Sequence, residues 1–344
     1  MKYGILGLLF LFSLIFNLPE AFADEEPTKR EWIKHEIPGA TCGKGGNFFV
    51  WNNQTGSKKL FISMAGGNAC WSRRTCYGFF SFTRMETLEE YDSQKHLYSL
   101  DESVSKFGEH DFMYIPYCTG DVHLGIHTAN YDGKVANHVG RNNVQAVWDY
   151  FQNQGNDFWN QYDEVVLYGA SAGAIGALYH IQTLAPYVEK VGNKSLILDS
   201  PGLHFGDDFW NKFSQDLTAD YSEALSSFGF PMDVQKGNVA GVIPKICEMY
   251  PNWNVGVLQA SKDGVMSKTF GEISRKNHHK LVHGPTGVLA LTEDPHDNCS
   301  AYVPSNKDHV FLKDKKKSKR ELNGTTPMTY AKQVADGQAL ENNK

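Results

Sequence analysis

The sequence predicts an α/β chain wound as one domain around a mostly parallel sheet with helices on both faces. Three observations carry this. Short apolar runs of strand length alternate with longer stretches of helical spacing. One such run, Val165 to Tyr168, breaks at Gly169-Ala170-Ser171-Ala172-Gly173 and passes at once into a stretch holding Ala174, Ala177, Leu178, Ile181 and Leu184, residues that favour a helix. No repeat or low-complexity linker divides the chain, so one large core is expected.

The N-terminal residues read as a leader. Lys2 precedes the apolar run Ile5 to Phe16, too short to span a bilayer comfortably, and Ala21-Phe22-Ala23 is an A-x-A cleavage site. A signal peptide over residues 1–23 leaves one domain over 24–344. No later stretch is apolar enough for a membrane helix, so a secreted or periplasmic protein, with no membrane span after cleavage, is expected. The formal charge of −6 makes nucleic acid a poor partner. Export makes disulfides the default for the six cysteines. Cys70 and Cys76 enclose a short loop and are the pair singled out, while no C-x-x-C pair favours zinc.

Along the chain, residues 24–46 are polar and glycine-rich and read as a leader across the surface. Phe48 to Trp51 and Lys59 to Met64 are strands about a polar turn, hence a hairpin. The second runs into Ala65-Gly66-Gly67-Asn68-Ala69-Cys70. Residues 80–108 are mixed and charged and read as irregular surface. Asp111 to Tyr117 is a strand ending in the Gly-punctuated loop Cys118 to Gly125, and Val144, Val147, Trp148 and Phe151 mark a helix over 142–154. Ser195 to Asp199 is the next strand, with Ser200-Pro201-Gly202 as its turn. Residues 203–252 carry Phe205, Phe209, Trp210, Phe213 and Tyr221 and read as an aromatic-rich insertion over the sheet, a candidate substrate cover. Asn254 to Gln259 is a further strand. Val288 to Leu291 is too short to assign. The basic run Lys313 to Arg320 reads as solvated surface, and Ala331 to Leu340 as a final helix.

Strand, G-x-S-x-G and helix in succession are the setting of the nucleophile elbow of α/β-hydrolases. The turn lifts Ser171 to where a base can reach it, and the Ala172 amide at the helix N-terminus points toward a developing oxyanion. The glycines after the Lys59–Met64 strand stand where this fold places its other oxyanion donors, here Gly67 and Asn68. Serine needs a base and an orienting acid, in the chain order Ser, Asp or Glu, His. Asp263 is favoured over Asp199 because the acid commonly arises two strands beyond the nucleophile, and Asp199 before Ser-Pro-Gly is more simply a turn residue. His278 and His279 lie in a Lys/Arg-rich stretch and read as surface. His309 is preferred to His296 because its loop leads straight into Val310-Phe311-Leu312, which docks on the core. Asp121 and Trp71 are candidate cleft residues.

Several motifs in order resemble the pectin acetylesterase family: Ala65-Gly66-Gly67-Asn68-Ala69-Cys70 with Cys76, Pro116-Tyr117-Cys118-Thr119-Gly120-Asp121-Val122-His123, and Gly169-Ala170-Ser171-Ala172-Gly173. That family also contains Notum, an animal enzyme that removes palmitoleate from Wnt proteins. The resemblance implies an α/β-hydrolase fold and a secreted serine carboxylesterase needing neither cofactor nor metal. By position it gives Ser171 as nucleophile, Asp263 as acid, His309 as base, and Gly67, Asn68 and Ala172 as oxyanion donors. Asn68 stands where the family often has Trp, and Gly173-Ala174 where its elbow commonly ends in two glycines, so the pocket wall beside Asn68 is expected to differ. The substrate class implied is O-acyl, above all O-acetyl, esters on a polysaccharide, whose sugar rings aromatic side chains can stack. The alternatives are Notum-like deacylation of lipid esters on proteins, and a non-catalytic binding protein on a hydrolase scaffold.

Overall fold

The computed structural model describes residues 31–78, 96–155, 157–293, 297–338 and 342–344. The leader at 1–23, His296, much of the 80–108 segment and the end of the final helical stretch lie outside the described residues.

The strands are β1 (Ile33–Thr41), β2 (Asn47–Asn52), β3 (Lys59–Met64), β4 (Asp111–Ile115), β5 (His127–Tyr131), β6 (Lys134–His138), β7 (Glu164–Ala170), β8 (Asn193–Asp199), β9 (Asn254–Leu258) and β10 (Cys299–Tyr302). The helices are α1 (Arg73–Tyr77), α2 (Gly140–Gln152), α3 (Ala172–Leu184), α4 (Gln215–Ser226), α5 (Val242–Met249), α6 (Arg275–Val282), α7 (Val288–Thr292) and α8 (Pro327–Ala335). Eight strands form one sheet in the order β1-β2-β4-β3-β7-β8-β9-β10. All pairs from β4 to β10 are parallel, and β1 and β2 add an antiparallel edge. β5 and β6 make a separate hairpin. Every residue of β7 is buried, as a central parallel strand covered on both faces requires.

Two glycines show that both faces are covered. A Cβ on Gly169 would lie 2.0 Å from Gly173 O in α3, and one on Gly256 would lie 2.6 Å from a methyl of Val334 in α8. Gly169 pairs with Leu198, whereas Gly256 pairs with Ile197, one residue away in the same strand. Adjacent residues of a strand face opposite sides, so α3 and α8 lie on opposite faces of the sheet.

The structure departs from the sequence reading in four places. The expected hairpin of β2 and β3 does not form, because β4 lies between them. Asn53 N donates to Phe112 O at 3.0 Å and Thr55 N to Asp111 Oδ1 at 2.7 Å. The intervening turn is therefore tied to β4, and apolar β3 gains parallel partners on both sides. Residues 33–41, read as leader, are an edge strand. Only Ile37 within it is buried, so ladder bonds rather than apolar contact place it. β10 and the short α7 complete the far side. His278, read as surface, is fully buried, with Nδ1 2.9 Å from Ser261 O. Among the described residues no helix is long and apolar enough to cross a membrane.

Candidate active site

Ser171 sits between β7 and α3 with φ 56° and ψ −120°, a left-handed geometry costing of order 1–3 kcal/mol for a residue with a Cβ. Its neighbours hold it there. Ser171 N donates to Asp199 O at 2.8 Å, and Ala174 N donates to Ser171 O at 2.9 Å. Gly173 is obligatory for close approach, since a Cβ there would lie 2.3 Å from Met64 O.

Asp263 and His309 follow β9 and β10, and their loops are joined by backbone bonds that continue the sheet's register. Ser261 N donates to Pro304 O at 3.0 Å, Lys262 N to Asn306 O at 3.0 Å, and Gly264 N to Lys307 O at 3.4 Å. This brings His309 Nδ1 to 2.8 Å from Asp263 Oδ2, and His309 Nε2 to 2.9 Å from Ser171 Oγ. Asp263 is completely buried, and its Oδ1 accepts from Val265 N at 2.8 Å and Met266 N at 3.0 Å. A ring nitrogen facing a carboxylate carries the proton, which leaves Nε2 free to accept from the serine hydroxyl. The arrangement can draw a proton from Ser171 and store it on an imidazolium beside a fixed negative charge.

Ser171 opens into a cleft of about 570 Å³ shared with Gly67, Asn68 and Ala172. Ala172 begins α3, whose first amides have no intrahelical acceptor. Gly67 packs against the Tyr117 ring so closely that a Cβ would lie 2.4 Å from it. Trp71, Arg74 and Thr75 form one wall, and all three lie inside the ring closed by the Cys70–Cys76 disulfide. Ser72 and Thr75 cap α1 reciprocally within that ring. The other bridges are Cys42–Cys118 and Cys247–Cys299.

Val122, Ile175 and Phe270 also line the cleft, Phe270 edge-on to Trp71 with ring centres 6.2 Å apart, and behind them lies an apolar cavity of about 30 Å³. The aromatic insertion meets this second cavity through Phe205, Phe209 and Trp210. Among the described residues, none of 203–252 lines the Ser171 cleft. The cover expected from that segment is therefore a backing layer, and Val265, Met266, Thr269 and Phe270 line the cleft from a turn, Val265–Phe270, wound as π-helix, a form frequent at functional sites. Lys212 braces the layer. Its ammonium lies 4.9 Å from the centre of the Phe270 ring and 5.1 Å from that of Trp71, and burial pulls its pKa down while Glu272 opposes the shift.

Asp121 does not reach the cleft. It is fully buried, and its carboxylate accepts from Thr119 Oγ1 at 2.6 Å, His123 N at 3.1 Å and Gly140 N at 2.7 Å. Those three donors consume it in fastening a loop to the start of α2. His123 Nε2 lies 2.9 Å from Ala65 O, so this network acts on the Gly66-Gly67 loop from below. Sequence reasoning missed Ile175, Phe270 and Arg74 as lining residues. Ile175 could have been found from its place one turn after Ser171 on the same helix. Among the described residues no group of three or more His, Cys, Asp or Glu is arranged to hold a metal.

A mostly parallel sheet, covered on both faces and carrying an elbow serine at the carboxyl end of a central strand, defines the α/β-hydrolase class of fold. Within that class, the pectinacetylesterase family model matches residues 23–228, and the chain belongs to that family. The matched span contains Ser171 and the Gly66-Gly67 loop, whereas Asp263 and His309 lie beyond it. Relatives include the palmitoleoyl-protein carboxylesterase notum2 of Xenopus laevis, 25% identical over 178 residues, which are 50% of this chain and 35% of that protein. The palmitoleoyl-protein carboxylesterase NOTUM of Schmidtea mediterranea is 31% identical over 145 residues, 39% of this chain and 26% of that protein. The chain thus matches about a third of the length of these curated relatives or less.

Proposed function

We propose that this chain is an exported serine carboxylesterase that removes O-acyl groups, above all acetyl, from a polysaccharide. One observation carries the reading: the hydrogen-bonded series Asp263–His309–Ser171 ends at the floor of an open cleft. His309 Nε2 takes the Ser171 proton as Oγ attacks the ester carbonyl. The amides of Gly67, Asn68 and Ala172 receive the oxyanion, each worth about 2.7–4 kcal/mol of transition-state stabilisation. The C–O bond to the alcohol breaks and His309 returns the proton to that oxygen. Water then attacks the acyl-serine with His309 as base, releasing the acid and the free serine. Trp71 and Arg74, on the wall beside Ser171, would face the alcohol part of the substrate.

Export is supported by the sequence of residues 1–23 and by three disulfides. A second reading, deacylation of longer lipid esters on proteins, is favoured by the apolar cavity behind Ile175 and Phe270 and by the activity in the relatives' names. The test is turnover of p-nitrophenyl esters of increasing chain length by wild type and Ser171→Ala, with acid release from acetylated glycans. The reading requires Ser171→Ala to lose activity and acetate to be preferred. Preference for long chains selects the second reading. A wild type that neither turns over esters nor is labelled by a fluorophosphonate is a binding protein on this scaffold.

A further inference from the structure

We propose that Asp199 and Ser200 are positioning residues that lock Val310 in a left-handed turn and so aim His309 at Ser171; this rests on the reading of Ser171 and His309 as nucleophile and base. Val310, the residue after His309, has φ 55°, and Ser200 has φ 62°. A β-branched residue in that region is a true outlier, and such geometry persists only where the surroundings over-determine it. Here they do. Val310 N donates to Ser200 Oγ at 2.9 Å. The next two amides, Phe311 N and Leu312 N, each donate to Asp199 Oδ2 at 2.9 Å. Three consecutive N–H groups are thus taken by one dipeptide.

The dipeptide is itself anchored. Asp199 and Ser200 are fully buried, and the Asp199 carboxylate also accepts from Tyr168 Oη at 3.0 Å and Ser200 Oγ at 3.1 Å. Ser200 N donates to Leu258 O at 2.7 Å, and Ser171 N donates to Asp199 O at 2.8 Å. One end of β8 therefore binds the backbone of Ser171 through a carbonyl and the backbone beyond His309 through a side chain. From the opposite side Lys317 Nζ donates to His309 O at 2.6 Å. Asp199 makes no hydrogen bond to the His309 ring or to the Ser171 hydroxyl; beyond a through-space attraction to His309, it acts by holding the backbone, and the glycine rescue below reads that part.

The experiment measures kcat and KM on p-nitrophenyl acetate for Asp199→Asn, Ser200→Ala, and Asp199→Asn combined with Val310→Gly. Asparagine presents an NH2 where donors already converge: with its oxygen at the Oδ2 position the NH2 faces Phe311 N and Ser200 Oγ, and with its oxygen at the Oδ1 position Leu312 N loses its acceptor. Expected is a kcat reduced about 10²-fold in Asp199→Asn, the cost of a misplacement near 1 Å, with KM within about twofold. Ser200→Ala should lose about tenfold, as for one hydrogen bond. Val310→Gly should restore at least several-fold in the Asp199→Asn background, because glycine adopts positive φ without being forced. Full kcat in both single variants, a KM rising in step with the loss, or no restoration by glycine overturns the proposal. Should Asp199→Asn not fold by circular dichroism, Ser200→Ala decides on the same kcat and KM criteria. His309→Ala separates the two levels: full activity there sinks the esterase reading, whereas an inactive His309→Ala beside a fully active Asp199→Asn sinks only the positioning role.

Discussion

Gly66→Ala offers a direct test of how tightly the elbow is packed. Gly66 does not have the positive φ that favours glycine, so the effect of alanine is chiefly steric. The new Cβ would stand 2.4 Å from Ala170 O and 2.9 Å from Ser171 Cβ. Comfortable contact is about 3.5 Å, so one side must retreat by roughly 1 Å. The sheet holds Ala170 through its pairing with Asp199, which leaves the Ser171 turn to yield. The 2.9 Å Ser171–His309 bond then stretches past hydrogen-bond range. A displacement of that size costs about 10²-fold in kcat, or about 2.7 kcal/mol. The assay is kcat and KM on p-nitrophenyl acetate, with thermal melting as a check on the fold. Gly192→Ala is the control, because its nearest neighbour would be 3.7 Å away. A Gly66→Ala enzyme within about twofold of wild-type kcat would refute the steric reasoning.

Two further predictions follow from buried groups. Burial pulls His180 and His204 down to about 3, against about 6.5 in the unfolded chain. Between those values the unfolded chain binds protons that the folded chain refuses, so stability is full above about pH 6.5 and falls as pH drops through this window. At pH 5 each histidine costs about 2 kcal/mol, and thermal melts at pH 7 and pH 5 should show a clear drop; a melting temperature unchanged or higher at pH 5 would contradict this. Ile175→Ala should join the cleft to the apolar cavity behind it. Chain-length preference should then move from acetyl toward hexanoyl esters, at up to about 0.8 kcal/mol per buried methylene. An unchanged acetyl-to-hexanoyl ratio would show that Ile175 is not the partition.

The parts of the molecule that were legible in the sequence are those where local pattern and tertiary demand coincide. The run of β7 is apolar because it is central, and Gly169 and Gly173 flank Ser171 because helix and strands crowd there; both signals are local. Asp263 and His309 could be singled out by chain order, since they follow β9 and β10, which lie side by side with β9 next to β8. What stayed hidden depended on distant partners. β1 has no apolar face to announce it, and β10 is four residues of Cys-Ser-Ala-Tyr. The separation of β2 from β3 is imposed by Asp111 and Phe112, almost sixty residues downstream of the turn they hold. His278 lies in a charged stretch, yet Ser261 O gives its Nδ1 a buried partner. Asp121 looked like a cleft residue because nothing local reveals that Gly140 N would claim one of its oxygens.

The Cys70–Cys76 ring carries Trp71, Arg74 and Thr75 on a small closed scaffold, while proton transfer is assigned to residues on other loops. Its two ends are welded to each other, and Thr75 Oγ1 accepts from Trp71 N and Ser72 N, so the exposed Arg74 side chain can be exchanged without disturbing the backbone that leads back to Gly67. The entrance is thus a cassette, separable from the machinery beneath it. On the reading proposed above, edits among the five residues between Cys70 and Cys76 change which alcohol is admitted and leave the means of cleaving its ester as it was.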